Sequence, residues 1–334
     1  MDLLKFSEEE SEKINLNIYR SFQINRFNHL DLLNEISLKQ PDVIRLKVPF
    51  EDANIFEQID KIALPYNIFK SLIRMSMSKD AKASTYKINE SIQFEPYTFS
   101  NEKILRLLLK NSLEEPTEIG FTNDIYNDII DKQKMVELST EYYISLANQG
   151  ESKSNYFYLA YFENECIGFC SFQIRDKKSE GLFYTILPKY RSKGFARDLL
   201  EYAKLNSFKL GADDFSTNTI IQNPRSIYPQ MKIGLVPQES YMNVIFFPLL
   251  SLKPIHHKEI KAIDFSDLTT KVYEWINEKG YSALHFENIK IYHESGEFPS
   301  DILLKLFVFN EHTVILSAVN MQAQFWAYFT GKLN

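Results

Sequence analysis

The stretch that most constrains the fold is residues 181–210, where an apolar run passes through a proline and a basic, glycine-bearing turn into a helical pattern. Gly181-Leu182-Phe183-Tyr184-Thr185-Ile186-Leu187 is apolar enough for a buried central strand, and Pro188 stops it. From Gly194 onward, Ala196, Leu199, Leu200, Ala203 and Leu210 fall close to one helical face, and Gly211 is a stop signal. A helix start offers unpaired backbone N–H groups and a partial positive charge, so it is a ready site for phosphate. In Arg191-Ser192-Lys193-Gly194-Phe195-Ala196-Arg197, Gly194 lets the backbone approach a pyrophosphate without a Cβ, and Ala196 keeps the first turn slim. Arg191, Lys193 and Arg197 set three cations around the turn. Taken alone, so short a pattern also fits a solvated basic turn closing a strand.

The order of elements around the turn adds to it. Two strands precede it, Tyr156 through Phe162 and Cys166 through Ile174, joined at Glu163-Asn164-Glu165, and a charged turn at 175–178 follows them. Upstream, Ile104, Leu107 and Leu108 suggest the inner face of one helix, and residues 132–146 a second. The polar, aromatic segment 114–126 between them has the character of a binding loop. Downstream, strand-like runs cover 215–221 and 241–247. Cys166 and Cys170 lie four apart in one strand, hence on one face but too far apart to bridge. They fit a reducing compartment without a disulfide framework or zinc motif.

A chain of 334 residues has room for two or three domains. Residues 1–89 read as a small, incomplete α/β layer. Asp42-Val43-Ile44-Arg45-Leu46-Lys47-Val48 alternates as a half-buried strand; Ile55, Ile59 and Ile62 mark a helix, and a further strand lies at 69–77. Residues 90–250 hold the turn described above. Residues 251–334 read as a small α+β domain: a helix capped by Ser266 and ended by Gly280, a strand at 283–291, a hairpin turning at Asn310-Glu311-His312, and a last helix at 320–329. The expected class is therefore α/β of the α+β kind, a mixed central sheet flanked by helices, with a small domain on either side.

A formal net charge of -6 argues against nucleic acid as a partner. His256, His257, His285, His293 and His312 show no ligand spacing, so no metal is expected. The start of the chain lacks the basic and apolar segments of a secretory signal, and no run approaches a membrane span. A soluble cytoplasmic protein, with no membrane partner, is the expectation.

The order hairpin, buried strand, Pro188, then Arg191, Gly194 and Ala196 opening a helix resembles the acetyl-CoA site of the GNAT acyltransferase superfamily. Asn223-Pro224-Arg225-Ser226 and Lys232-Ile233-Gly234-Leu235 resemble the family's asparagine-led helix and the glycine after it. The resemblance implies that acetyl-CoA is the acyl donor, with its pyrophosphate on the turn from Arg191 through Ser192, Lys193, Gly194, Phe195 and Ala196 to Arg197. It puts the pantetheine arm along Thr185, Ile186 and Leu187, and Asn223 beside the thiol. Residues 1–89 are further similar, in pattern and order, to the incomplete N-terminal domain of the dTDP-fucosamine acetyltransferase family, which implies an amino-sugar nucleotide or a similar small amine as acceptor.

The chemistry implied is direct attack of a neutral amine on the thioester. A strand N–H near Leu187 would meet the oxyanion. Glu180 and Glu118 are the candidate bases. In the dTDP-fucosamine acetyltransferase family that helix carries a tyrosine seven positions after the asparagine, where this chain has Gln230; Tyr228, five positions on, is then the candidate acid. Two other readings stay open: the same fold acting on a protein or peptide amine, and a non-catalytic acyl-CoA-binding module. Residues 251–334 could cover the acceptor site, pair two subunits into a homodimer or bind a partner.

Overall fold

The computed structural model describes residues 3–21, 28–50, 53–62, 64, 66–81, 86–114, 132–221, 223–281, 284–293, 297–308, 313–320, 323 and 325–333. They group into two compact units, one of residues up to Phe69 and from Met242 onward, the other of residues 70–114 and 132–241. Glu118 and the turn at 310–312 lie outside the described residues.

The first unit opens with β1 (Lys5–Phe6), α1 (Glu8–Ile14), β2 (Ile18–Arg20), α2 (His29–Lys39), β3 (Val43–Pro49) and α3 (Ala53–Asp60). β2 pairs antiparallel with β1 and parallel with β3. The alternation read from the sequence holds: Ile44, Leu46 and Val48 are buried while Lys47 is exposed, and Ile55, Ile59 and Ile62 all point inward. Asp42, just ahead of β3, is fully buried. Its carboxylate accepts the Asn17 N–H at 2.8 Å, the Ser251 N–H at 3.0 Å and the Ser251 hydroxyl. Leu249 and Leu250 donate backbone bonds to the carbonyls of Asp42 and Pro41, each at 3.2 Å. One carboxylate therefore ties together chain segments 209 residues apart.

The second unit is built from β4 (Tyr66–Ser78), which begins in the first unit, β5 (Ile92–Pro96), α4 (Glu102–Glu114), α5 (Lys132–Gln149), β6 (Asn155–Phe162), β7 (Glu165–Arg175), β8 (Lys178–Ile186), α6 (Phe195–Lys209), β9 (Asp214–Ile220) and α7 (Pro224–Lys232). The strand order is β4-β9-β8-β7-β6-β5, antiparallel throughout except for the parallel pair β8–β9. The strand expected at 69–77 thus forms, but it pairs with β9. Met75 and Met77 alternate inward to meet Phe215 under α6, and that burial selects its partner.

Helices cover both faces. α6 lays Leu199, Leu200 and Ala203 on Met75, Cys170, Phe172 and Phe215. α4 and α5 lay Leu105, Leu108, Leu109, Leu113, Val136 and Ile144 on Phe157, Phe169 and Phe183. The inner face of α4 is rotated from the one read in the sequence: Ile104 and Leu107 are 37% and 59% exposed. An apolar residue one position along turns about 100° of the helix, and the sheet chose the richer row, Leu105, Leu108, Leu109 and Leu113. Cys166 and Cys170 likewise pack in different clusters, on opposite faces. The cause is a β-bulge: Ala160 pairs Gly168 and Tyr161 pairs Cys166, so Ile167 is an extra residue and the alternation reverses across it.

β10 (Val236–Phe246) returns the chain to the first unit, which ends with β11 (His256–Ile260), α8 (Phe265–Glu278), β12 (Leu284–His293), β13 (Ile302–Val308), β14 (Thr313–Asn320) and β15 (Phe325–Leu333). These strands form an antiparallel sheet in the order β11-β13-β14-β15-β12. The cap of α8 is Asp264, whose carboxylate accepts the Asp267 N–H at 2.8 Å, and not Ser266. The helix expected at 320–329 is instead strand β15. Phe325, Ala327 and Phe329 pack with Leu268, Val272 and Ile276 of α8, while Trp326 and Tyr328 are equally buried. A run buried on both sides has no polar helical stripe and suits a strand paired on both edges.

Replacing Asp42 with Ala removes the buried acceptor shared by three donors, the Asn17 N–H and the Ser251 N–H and hydroxyl. The variant is expected to lose about 3 kcal/mol of stability, read as a lowered urea midpoint of the first unit.

Candidate active site

β8 and β9 run side by side only from Lys178/Asp214 to Gly181/Thr217; among the described residues no pairing continues beyond that point. The strands part where β8 takes in an extra residue. Gly181 pairs Phe172 and Phe183 pairs Ser171, leaving Leu182 unmatched, and such a bulge bends and twists the strand that carries it. Past the bulge the side chains alternate. Phe183 stacks on Tyr143 of α5 with ring centres 5.0 Å apart, and the Thr185 hydroxyl bonds that of Ser112 in α4. Tyr184 and Ile186 turn to the other face and join the cluster under α6.

The backbone alternates as well. Leu187 donates its N–H to Ile167 at 2.8 Å, so Thr185 and Leu187 address β7 while Tyr184 and Ile186 direct their peptide groups toward β9, across the opening. The N–H of Leu187 itself is therefore already spent. Of Thr185, Ile186 and Leu187, the residue whose backbone faces the opening is Ile186.

The basic turn lies directly above. Ser192 and Gly194 both adopt left-handed conformations, φ 63° and 92°. Alternating conformations of this kind turn successive N–H groups toward one point and make an anion nest. The N–H groups of Ser192, Lys193, Gly194, Phe195 and Ala196 have no acceptor among the described residues. Gly194 is the residue before α6, and a Cβ built on it would stand 3.0 Å from the Arg197 guanidinium.

Surrounding side chains hold this backbone in place. Arg191 Nε donates to the Ile186 carbonyl at 3.1 Å. Glu165 pairs with Lys189 and accepts the Tyr190 hydroxyl at 2.5 Å. Lys193 lies 5.2 Å from the Tyr190 ring centre, and Arg197 5.1 Å from that of Tyr86. Tyr86 is in turn held by buried Asp198, which accepts its hydroxyl at 2.8 Å and the Asn89 N–H at 2.9 Å. The sequence-derived cations Arg191, Lys193 and Arg197 thus surround the turn, each steadied by a neighbour.

A polar network fills the ground between β8, β9 and α7. Tyr184 Oη lies 2.5 Å from Ser226 Oγ and accepts from Gln230 Nε2 at 3.1 Å. Thr217 donates to Gln230 Oε1 at 2.5 Å, and Thr219 to Ser226 at 2.8 Å. Gln230 is fully buried. Burial pushes the Tyr184 phenol up, while its bonds to Ser226 and Gln230 pull it back. Tyr184, Thr217, Thr219 and Ser226 were not singled out from sequence. The available signal was Ser216-Thr217-Asn218-Thr219, an entirely polar run inside a mostly buried strand.

Asn223 stands at the start of α7, its side chain making no cap bond. Tyr228 points outward, 59% exposed, with the Lys232 ammonium 5.1 Å from its ring centre. Glu180 is exposed at the foot of the opening, where Asn218 Nδ2 donates to its carboxylate at 2.6 Å. Among the described residues no group of three or more His, Cys, Asp or Glu could hold a metal ion.

Residues 122–228 match the model of the acetyltransferase (GNAT) family. The fold of this region is of the GNAT type. A conserved protein of unknown function from Staphylococcus epidermidis is similar to this chain at 12% identity, over 74% of this chain and 92% of its own, with a TM-score of 0.50. A GCN5-related N-acetyltransferase from Sphaerobacter thermophilus is similar at 11% identity, over 71% and 74%, with a TM-score of 0.47. The PaiA N-acetyltransferase from Thermoplasma acidophilum, solved in complex with coenzyme A, is similar at 19% identity, over 46% of this chain and 98% of its own, with a TM-score of 0.37. Identities this low speak to fold alone. No curated protein matches the sequence.

Gly194→Glu puts a charged side chain on a left-handed residue at the nest. Coenzyme A affinity measured by calorimetry should fall by at least roughly tenfold, about 1.4 kcal/mol. Lys189 and then Tyr190 hold the Glu165 carboxyl below its usual 4.5. Its anchoring is therefore complete above that value and lost as pH falls through the lower, folded one. The melting-temperature gap between the native chain and Glu165→Gln should be present at neutral pH and close below about pH 4.5.

Proposed function

We propose that the chain is an acyl-CoA-dependent N-acyltransferase that moves an acetyl group from acetyl-CoA to a primary amine by direct attack. The observation that carries this reading is the parting of β8 and β9 directly beneath the uncommitted N–H groups of 192–196. The pyrophosphate would take those N–H groups, with Lys193 and Arg197 supplying charge. The pantetheine arm would run down the opening along the peptide groups of Tyr184 and Ile186, and one of their N–H groups would meet the developing oxyanion. Asn223 would lie beside the arm's thiol end.

Glu180 is the proposed base. It is solvent-exposed and oriented by Asn218, and it sits at the foot of the opening, within reach of an amine approaching from that side. The acceptor is proposed to be a small amine, with an amino-sugar nucleotide as the finer reading, supported by the order of elements in residues 1–89. Residues 1–89, 90–250 and 251–334 are the proposed division of labour, the middle part carrying the chemistry.

Thiol release from acetyl-CoA against amino-sugar nucleotides, polyamines, amino acids and peptides tests the reading. Turnover with one class is expected; tight coenzyme A binding without turnover on any amine would leave an acyl-CoA-binding module. With the best acceptor, Glu180→Gln should lower kcat/KM by about a hundredfold while leaving coenzyme A affinity unchanged.

A further inference from the structure

In the amino-sugar acetyltransferases that the sequence resembles, the helix after the asparagine carries a tyrosine where this chain has Gln230, and Tyr228 faces solvent. A phenol nevertheless reaches the same ground from another element. Gln230 Nε2 lies 3.1 Å from Tyr184 Oη, so the side chain at the expected position touches a tyrosine oxygen brought in by strand β8.

Donor accounting gives that hydroxyl a direction. Gln230 is locked, because its Oε1 accepts from Thr217 at 2.5 Å, which leaves Nε2 to donate to Tyr184. Ser226 Oγ accepts from Thr219 at 2.8 Å and, at 3.4 Å, from the same Gln230 amide. With its lone pairs so used, its one hydrogen is available for Tyr184 at 2.5 Å. With Ser226 donating across that contact, Tyr184 Oη accepts two hydrogen bonds and its own O–H is left for an acceptor other than Ser226. The ring is only partly buried, and its peptide group borders the opening between β8 and β9. A hydroxyl hydrogen so left in such a place is matched by a ligand atom that accepts.

We propose that Tyr184 takes the role of the missing helix tyrosine, donating its hydroxyl proton to the sulphur of the departing coenzyme A, and that Gln230 and Ser226 are positioning residues that aim it. The inference rests on the acyltransferase reading. The amine nitrogen bonds to the thioester carbonyl carbon, and the C–S bond breaks with its electron pair going to sulphur. The Tyr184 proton moves to that sulphur, giving a neutral thiol. The amine's surplus proton leaves to Glu180 or water, and solvent returns a proton to the tyrosinate, so one N–H is exchanged for one S–H overall. The two bonds donated to Oη stabilise the tyrosinate formed in passing.

Two measurements on the full chain test this. In steady state, Tyr184→Phe should lower kcat by roughly ten- to a hundredfold with KM for acetyl-CoA changed less than twofold. Gln230→Leu should lower kcat in the same direction. In binding, the native chain should prefer coenzyme A over desulpho-coenzyme A several-fold, and Tyr184→Phe should bind both alike, a readout that needs no turnover. Binding of coenzyme A with kcat and sulphur preference both untouched in Tyr184→Phe overturns the assignment while the acyltransferase reading stands. A loss carried by Tyr228→Phe instead also overturns it. Failure of the native chain to bind either ligand sinks the acyltransferase reading and this one together.

Discussion

One extra residue in a strand governs this architecture. Leu182 has no counterpart on β7, and from that point β8 turns away from β9. A parallel pair normally shares its hydrogen bonds to the end; here two strands leave their facing peptide groups without each other. Unpaired peptide groups in a protein interior are costly unless something accepts them. Everything nearby is arranged around that cost: the turn at 191–196 lies at the wide end, α7 and its polar side chains line one side, and Arg191 reaches back to satisfy the carbonyl of Ile186.

The turn and the opening make one binding feature from two kinds of backbone irregularity. At 192 and 194 left-handed residues collect N–H groups, and at 184 and 186 a bulge frees them. Neither depends on a particular side chain beyond glycine. Affinity for an anionic, extended ligand can then reside in the main chain, which leaves the side chains around the opening, among them Glu180, Tyr184 and Asn223, uncommitted to holding it. The side chains around the turn act on the backbone: Glu165 on Lys189 and Tyr190, Asp198 on Tyr86.

How much of this was legible in the sequence follows from which signals are local. The buried strand, Pro188, Gly194 and the helix after it are local chemistry, and the structure has them where the residues indicate. The face of α4, the opposite sides taken by Cys166 and Cys170, and the partner of β4 depend on contacts with residues far along the chain. No periodicity within a window could fix them. Bulges are the sharpest case, since a single added residue reverses every later side chain while leaving the apolar pattern intact. The expected helix at 320–329 failed for a related reason: an aromatic run buried on both faces carries no stripe to read. In the site, Tyr184 was hidden because it sits in a strand whose composition reads simply as core.

Asp42 has a practical bearing on how the chain can be divided. A cut after residue 250, the boundary suggested by composition, would remove Ser251 and with it two of the donors on that carboxylate. The remaining fragment would carry a buried negative charge facing a raw chain end, beside the strands that β10 joins to the acetyltransferase-like region. A shortened version prepared for crystallography should therefore keep residues 249–251, or carry Asn at position 42, so that the truncation does not itself unfold what it was meant to isolate.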